Sequence, residues 1–232
     1  MAKKSPSSSY LTHFESLAGG VLLLLYLLVL PWTADGLFRG LEHLMGAPIG
    51  QGTRQVILWC VLFAATLVVF YQFTGDTTRR FLASLGEAVA GAGLGLVLFY
   101  GLNELAFRIL RVALGARVNL NDLAVFAQSR LAPQGPLWIV VLVAPFVEEV
   151  FFRGYVFGAI RGRSRTAAYA VSCGLYAFHS LWALVSGFSL PALALALQYL
   201  VPGVVLAWCY DRTGTLWTPI LVHITVNALA LF

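Results

Sequence analysis

Leu17-Ala18-Gly19-Gly20-Val21-Leu22-Leu23-Leu24-Leu25-Tyr26-Leu27-Leu28-Val29-Leu30 contains no charged side chain. A helix must offer roughly 20 predominantly apolar residues to cross a bilayer core, and the stretch near 17–36 reaches that length. Lys3, Lys4 and the serine-rich segment Ser5 to Ser9 precede it, as in a secretory leader. Pro31, Trp32 and Asp35 occupy the region where a small-x-small cleavage site would fall, so a retained first span is expected.

The rest of the chain extends that reading. Its 232 residues are 59% hydrophobic and 11% charged, with a mean hydropathy of +0.83. A water-soluble domain of this size does not tolerate that balance on its surface. Run lengths and breakers place spans near 17–36, 55–74, 82–107, 137–160, 166–187, 190–210 and 215–232. The expected fold is therefore an all-α, polytopic transmembrane bundle of about seven spans, within a range of six to eight by length. Residues 1–136 would hold the amino-terminal helices, with an interfacial segment near 108–136, and residues 137–232 a second helical unit. There is no repeat at a fixed period, and so no sign of an inverted-repeat transporter.

A net charge of +5 does not indicate a nucleic-acid partner here, because the basic residues fall mostly between the apolar runs. They read as topology signals. With a cytoplasmic amino terminus, the tight clusters Arg79-Arg80 and Arg161 to Arg165 both fall inside. Cys60, Cys173 and Cys209 lie in apolar stretches without CxxC spacing and are expected to be packing thiols.

Chemistry concentrates in Ala144-Pro145-Phe146-Val147-Glu148-Glu149-Val150-Phe151-Phe152-Arg153-Gly154, where three ionisable groups interrupt one apolar span. Each such group costs at least about 2.5 kcal/mol at the bilayer centre and marks a functional site by default. Four-residue spacing puts Glu149 and Arg153 on one helix face, where carboxylate and guanidinium can pair. Glu148 points roughly a third of a turn away and is the carboxylate left free to act as a general base. A purely structural ion network is the bland alternative for the three.

Two histidines, His179 and His223, also lie inside spans, whereas His13 and His43 do not. His223 and Asn227 share a helix face and form a pair of donors suited to an oxyanion. An interhelical hydrogen bond is the competing reading for Asn227. Pro145, Pro202 and Pro219 lie close to these positions and are expected to kink their spans.

The ordered set Glu148-Glu149-x-x-x-Arg153, then His179, then His223-x-x-x-Asn227 resembles the CAAX-protease and bacteriocin-processing (CPBP, or Abi) family over Trp138 to Leu231. The resemblance implies an integral-membrane endopeptidase. Glu148 and His179 would activate water, His223 and Asn227 would hold the oxyanion, and Glu149 with Arg153 would brace the site. It implies membrane lipid and a peptide with a membrane-associated segment as partners, in a multi-pass protein of the prokaryotic plasma membrane. The substrate expectation is a prenylated CAAX-type or membrane-sorting carboxyl-terminal tail. Leu175 departs from the family's Phe-x-x-x-His pattern, which affects the shape of the substrate pocket.

No cofactor is expected. The alternative is zinc, with Glu148, His179 and His223 as a sufficient ligand set, but no HExxH is present to place two histidines on one helix. Two other classes stand beside the protease reading: a non-catalytic immunity or scaffold protein, and a proton or cation transporter using the buried Glu and His residues as a relay.

Overall fold

The computed structural model describes residues 11–115, 137–182 and 190–231. Among these residues the elements are helices, with no strand. The first, α1 (His13–Met45), is a single rod, opened by a capping box in which Thr12 and Glu15 exchange hydrogen bonds. It widens into a π-helical turn over Leu25–Val29. Next come α2 (Gln51–Val69), α3 (Tyr71–Ala83) and α4 (Leu85–Leu114). Then α5 runs through four contiguous stretches: a π turn Ile139–Val143, an α turn Ala144–Glu149, a π stretch Val150–Phe157 and a final α turn Gly158–Arg161. It is followed by α6 (Arg165–Trp182), α7 (Leu190–Thr213) and α8 (Trp217–Leu231).

Three helices, α1, α2 and α4, are long and apolar enough to cross a membrane, and α8 is a shorter apolar helix. This is an integral membrane protein, as the composition requires. The three outer helices match the first three expected spans. Their outward faces carry Val21, Leu24, Leu28, Val61, Val68, Val89 and Val97, all exposed, an apolar surface whose solvent is lipid.

At the centre stands α5, which contacts α1, α2, α6, α7 and α8. Val147, Val150, Phe151, Phe152 and Phe157 are wholly buried along it. A helix apolar on every side finds this place in a bundle, and it carries the three charged groups inside with it.

Between lipid-immersed helices the hydrophobic effect is weak, so close backbone approach replaces it. Gly91 and Gly95, one helical turn apart on α4, face Thr213 and Cys209 of α7; a Cβ on Gly95 would lie 2.5 Å from Cys209 Sγ. Gly95→Val is therefore expected to destabilise the fold by about 1–3 kcal/mol through overpacking, read as a lowered thermal midpoint in detergent.

Among the helices, α3 and α4 each depart from the sequence expectation. Residues 71–83 form a separate helix, α3, where the sequence reading ended a span near 74. Thr77 and Thr78 explain its role. Leu216 N–H donates to Thr77 Oγ1 at 2.7 Å, and the Trp217 indole donates to Thr78 Oγ1 at 2.8 Å, so α3 anchors the start of α8. Glu15, buried on α1, accepts from Phe73 N–H at 2.7 Å and fixes α3 in turn. Second, α4 runs seven residues past the expected end at 107, through Leu114. It stops at Gly115, whose positive φ of 67° terminates the helix. The remainder of the expected interfacial segment, 116–136, lies outside the described residues.

Cys173 and Cys209 are buried as packing thiols, but Cys60 is exposed on α2, contrary to expectation. Of the basic cluster on the α5–α6 turn, Arg161 and Arg165 both pair with buried Asp211 at the end of α7. These arginines thus clasp two helices together.

Candidate active site

Glu148 and Glu149 arrive on adjacent positions of α5, and their surroundings separate their roles. Glu149 has no solvent exposure; its Oε1 accepts from Arg153 Nη1 at 2.9 Å, the four-residue pairing expected from the sequence. The second arm of Arg153, Nη2, donates to the Gly203 carbonyl on α7 at 3.2 Å. Gly203 lets α7 come that near, because a Cβ there would sit 3.2 Å from the Cys173 Cβ on α6. The guanidinium also lies 4.5 Å from the centre of the Tyr176 ring, a cation–π contact. Arg153 is thus held by α5, α6 and α7 at once.

His223 stands between the two carboxylates. Its Nδ1 is 2.9 Å from Glu149 Oε1, and its Nε2 is 3.9 Å from Glu148 Oε2. Glu148 keeps 12% side-chain exposure, against none for Glu149. The two carboxylates differ in setting: Glu149 is buried and bonded through Oε1, while Glu148 is partly exposed. Glu148, Glu149, Arg153 and His223 form one cluster.

Asn227 is one turn beyond His223 on α8, but its carboxamide is already occupied. Its Nδ2 donates to the Val140 carbonyl at 2.9 Å, the interhelical bond weighed as the alternative. The chain explains why that carbonyl needs a donor. In the π turn, Ala144 N–H returns five residues to the Ile139 carbonyl, and in that register the Val140 carbonyl would take its bond from residue 145. That residue is proline and has no N–H. Asn227 supplies the missing donor and ties α8 to α5 beside the carboxylates.

His179 makes no direct hydrogen bond to Glu148 among the described residues. Its Nε2 is 2.7 Å from the Tyr26 hydroxyl on α1. The two rings lie 4.5 Å apart, and Phe152 lies 6.2 Å from His179 on another side. Aromatic area at this histidine thus comes from α1 and α5, while Leu175 packs against the main core. Tyr26 went unnoticed in the sequence, where it is one polar atom in a run of leucines; an intramembrane hydroxyl is the only signal that could have singled it out.

His179 gives Nε2 to Tyr26 and His223 gives Nδ1 to Glu149. Among the described residues no three His, Cys, Asp or Glu side chains are grouped to hold a metal.

Residues 132–229 match the family model described as Type II CAAX prenyl endopeptidase Rce1-like. Over these residues the chain is similar to that family. No curated protein and no solved structure matches the chain. The matched segment takes in α5 to α8, and with them Glu148, Glu149, Arg153, His179, His223 and Asn227. It leaves out α1 to α4. Tyr26, which bonds to His179, therefore comes from outside the matched region, as do the α3 threonines that hold the start of α8.

Proposed function

We propose that this chain is an intramembrane endopeptidase of CAAX type that cleaves a peptide bond close to the membrane, with Glu148 as the general base. The observation that carries the reading is the placement of His223 between an engaged Glu149 and a presented Glu148. Glu148 takes a proton from water held beside it, and His179 orients that water. The water oxygen attacks the scissile carbonyl, and the developing oxyanion is held by His223 Nε2–H and the second Asn227 N–H, the first being given to Val140. Glu148 then returns its proton to the leaving amine. With both ring N–H groups of His223 present, Nδ1–H donates to Glu149, and the charges of Glu148, Glu149, Arg153 and His223 cancel. Cancellation lowers the cost of keeping four such groups in a membrane-embedded bundle.

The substrate is a carboxyl-terminal tail that brings its own membrane anchor, a prenylated CAAX-type peptide first and a membrane-sorting tail second. In the topology that goes with this reading, the amino terminus is cytoplasmic and about seven segments cross the bilayer, α5 to α8 adding to the three long outer helices.

The test is to incubate the purified protein in detergent with farnesylated CAAX-type peptides and with membrane-tail peptides, and to identify the products by mass spectrometry. Internal cleavage of the prenylated peptide is expected, at a rate unchanged by a strong chelator. A rate lost on chelation and restored by zinc would replace this mechanism with a metal-dependent one.

A further inference from the structure

The catalytic histidine assigned to the water in the mechanism above is held by a residue from outside the matched segment. We propose that Tyr26 is a positioning residue: its hydroxyl donates to His179 Nε2, fixes the imidazole as its Nδ1–H tautomer, and so makes α1 a functional part of the active site. The proposal rests on the protease reading for its consequence, but the contact itself stands on geometry.

The oxygen-to-nitrogen distance of 2.7 Å is that of a well-formed hydrogen bond. It is formed by buried Tyr26, whose ring lies tilted against His179 with centroids 4.5 Å apart. Tyr26 is itself braced, with Trp59 of α2 at 6.2 Å and Phe151 of α5 at 5.1 Å, so its hydroxyl has little freedom to leave. It also lies in the π turn Leu25–Val29, which adds a residue to the turn and rotates the side chains there relative to a regular helix.

A neutral imidazole has one donor and one acceptor nitrogen, and the partner of one nitrogen decides the state of the other. When Tyr26 O–H donates to Nε2, the remaining polar atom of the ring is an Nδ1–H donor. Such a donor orients a water through its lone pair and leaves the water proton for Glu148. Removing the hydroxyl frees the ring to exchange tautomers and to turn, which lowers the fraction of molecules with the donor in place.

The experiment compares wild type, Tyr26→Phe and Tyr155→Phe in detergent micelles by nitrogen NMR of histidine-labelled protein, with His179 assigned through its loss in His179→Gln. Tyr155 is the control because its hydroxyl also joins α5 to α1, donating to the Ser16 carbonyl at 2.8 Å without touching His179. A fixed Nδ1–H tautomer is expected in wild type and in Tyr155→Phe, with tautomer averaging in Tyr26→Phe. On the peptide the wild type cleaves, kcat of Tyr26→Phe is expected to fall about five- to tenfold with KM little changed, as for loss of one hydrogen bond acting on the reacting geometry.

A wild-type His179 protonated at Nε2, an unchanged spectrum in Tyr26→Phe, or an unchanged kcat would each overturn the proposal. If Tyr155→Phe reproduces the Tyr26→Phe spectrum, the effect is general loosening of the helix pair and the proposal fails. The spectral arm needs no substrate. A protein that cleaves nothing but shows the tautomer change therefore retains the Tyr26–His179 contact and fails the protease reading instead.

Discussion

Glu148→Gln is expected to reduce peptide cleavage by about a hundred- to ten-thousandfold, the range that a positioned general base contributes, while the fold is unchanged. The glutamine keeps the size and the hydrogen-bonding shape of the side chain but takes no proton from water. Among the described residues Glu148 makes no short hydrogen bond, and His223 Nε2 stands at 3.9 Å, so little of the described structure depends on its charge. The signature is loss of kcat with a near-normal thermal midpoint in the same detergent. Cleavage at the wild-type rate would remove Glu148 from the mechanism. Glu149→Gln is a different experiment, because its Oε1 binds both Arg153 and His223, and its loss should lower activity and stability together.

Arg153→Met should have the largest effect on the fold. Arg153 and Glu149 have no solvent exposure, and removing one partner leaves the other as an uncompensated buried charge. Breaking a buried pair in this way typically costs about 3–5 kcal/mol. Methionine also gives up the bond to the Gly203 carbonyl and the contact with the Tyr176 face. The double variant Glu149→Gln, Arg153→Met removes both charges and should recover most of the thermal midpoint. It should not recover cleavage, because His223 then lacks the carboxylate that orients its ring. Stability and activity recovering together would mean that the Glu149–Arg153 pair serves packing alone.

The Asn227 contact refines the expectation for the oxyanion. In sequence, His223 and Asn227 look like equivalent donors on one helix face. In the fold they are unequal, since Asn227 already gives one N–H to Val140. Its contribution to catalysis is thus inseparable from the junction it holds between α5 and α8, and activity alone cannot apportion the effect of an Asn227 substitution.

One carboxylate and two histidines are sufficient in type for zinc. Each histidine engages one ring nitrogen, His179 Nε2 with Tyr26 and His223 Nδ1 with Glu149, so a metal would have to be held through the other nitrogen of each ring.

Local spacing determined a good deal about this protein. Apolar run length required helices in lipid, because backbone polar groups have no other partner there. The four-residue interval set the Glu149–Arg153 pair, which spans a single helical turn and needs nothing from the rest of the chain. Tertiary structure alone decided how those helices meet. Tyr26 and His179 are 153 positions apart, and His223 and Glu149 are 74 apart, separations that no periodicity encodes. The π turns of α1 and α5 add residues to their turns and change which side chains face inward, so a regular helical wheel misplaces them. Pro145 leaves a carbonyl whose partner, Asn227, lies on another helix. Small residues such as Gly95 and Gly203 let neighbouring helices approach closely, and that approach is a property of two surfaces fitted together rather than of either sequence segment read alone.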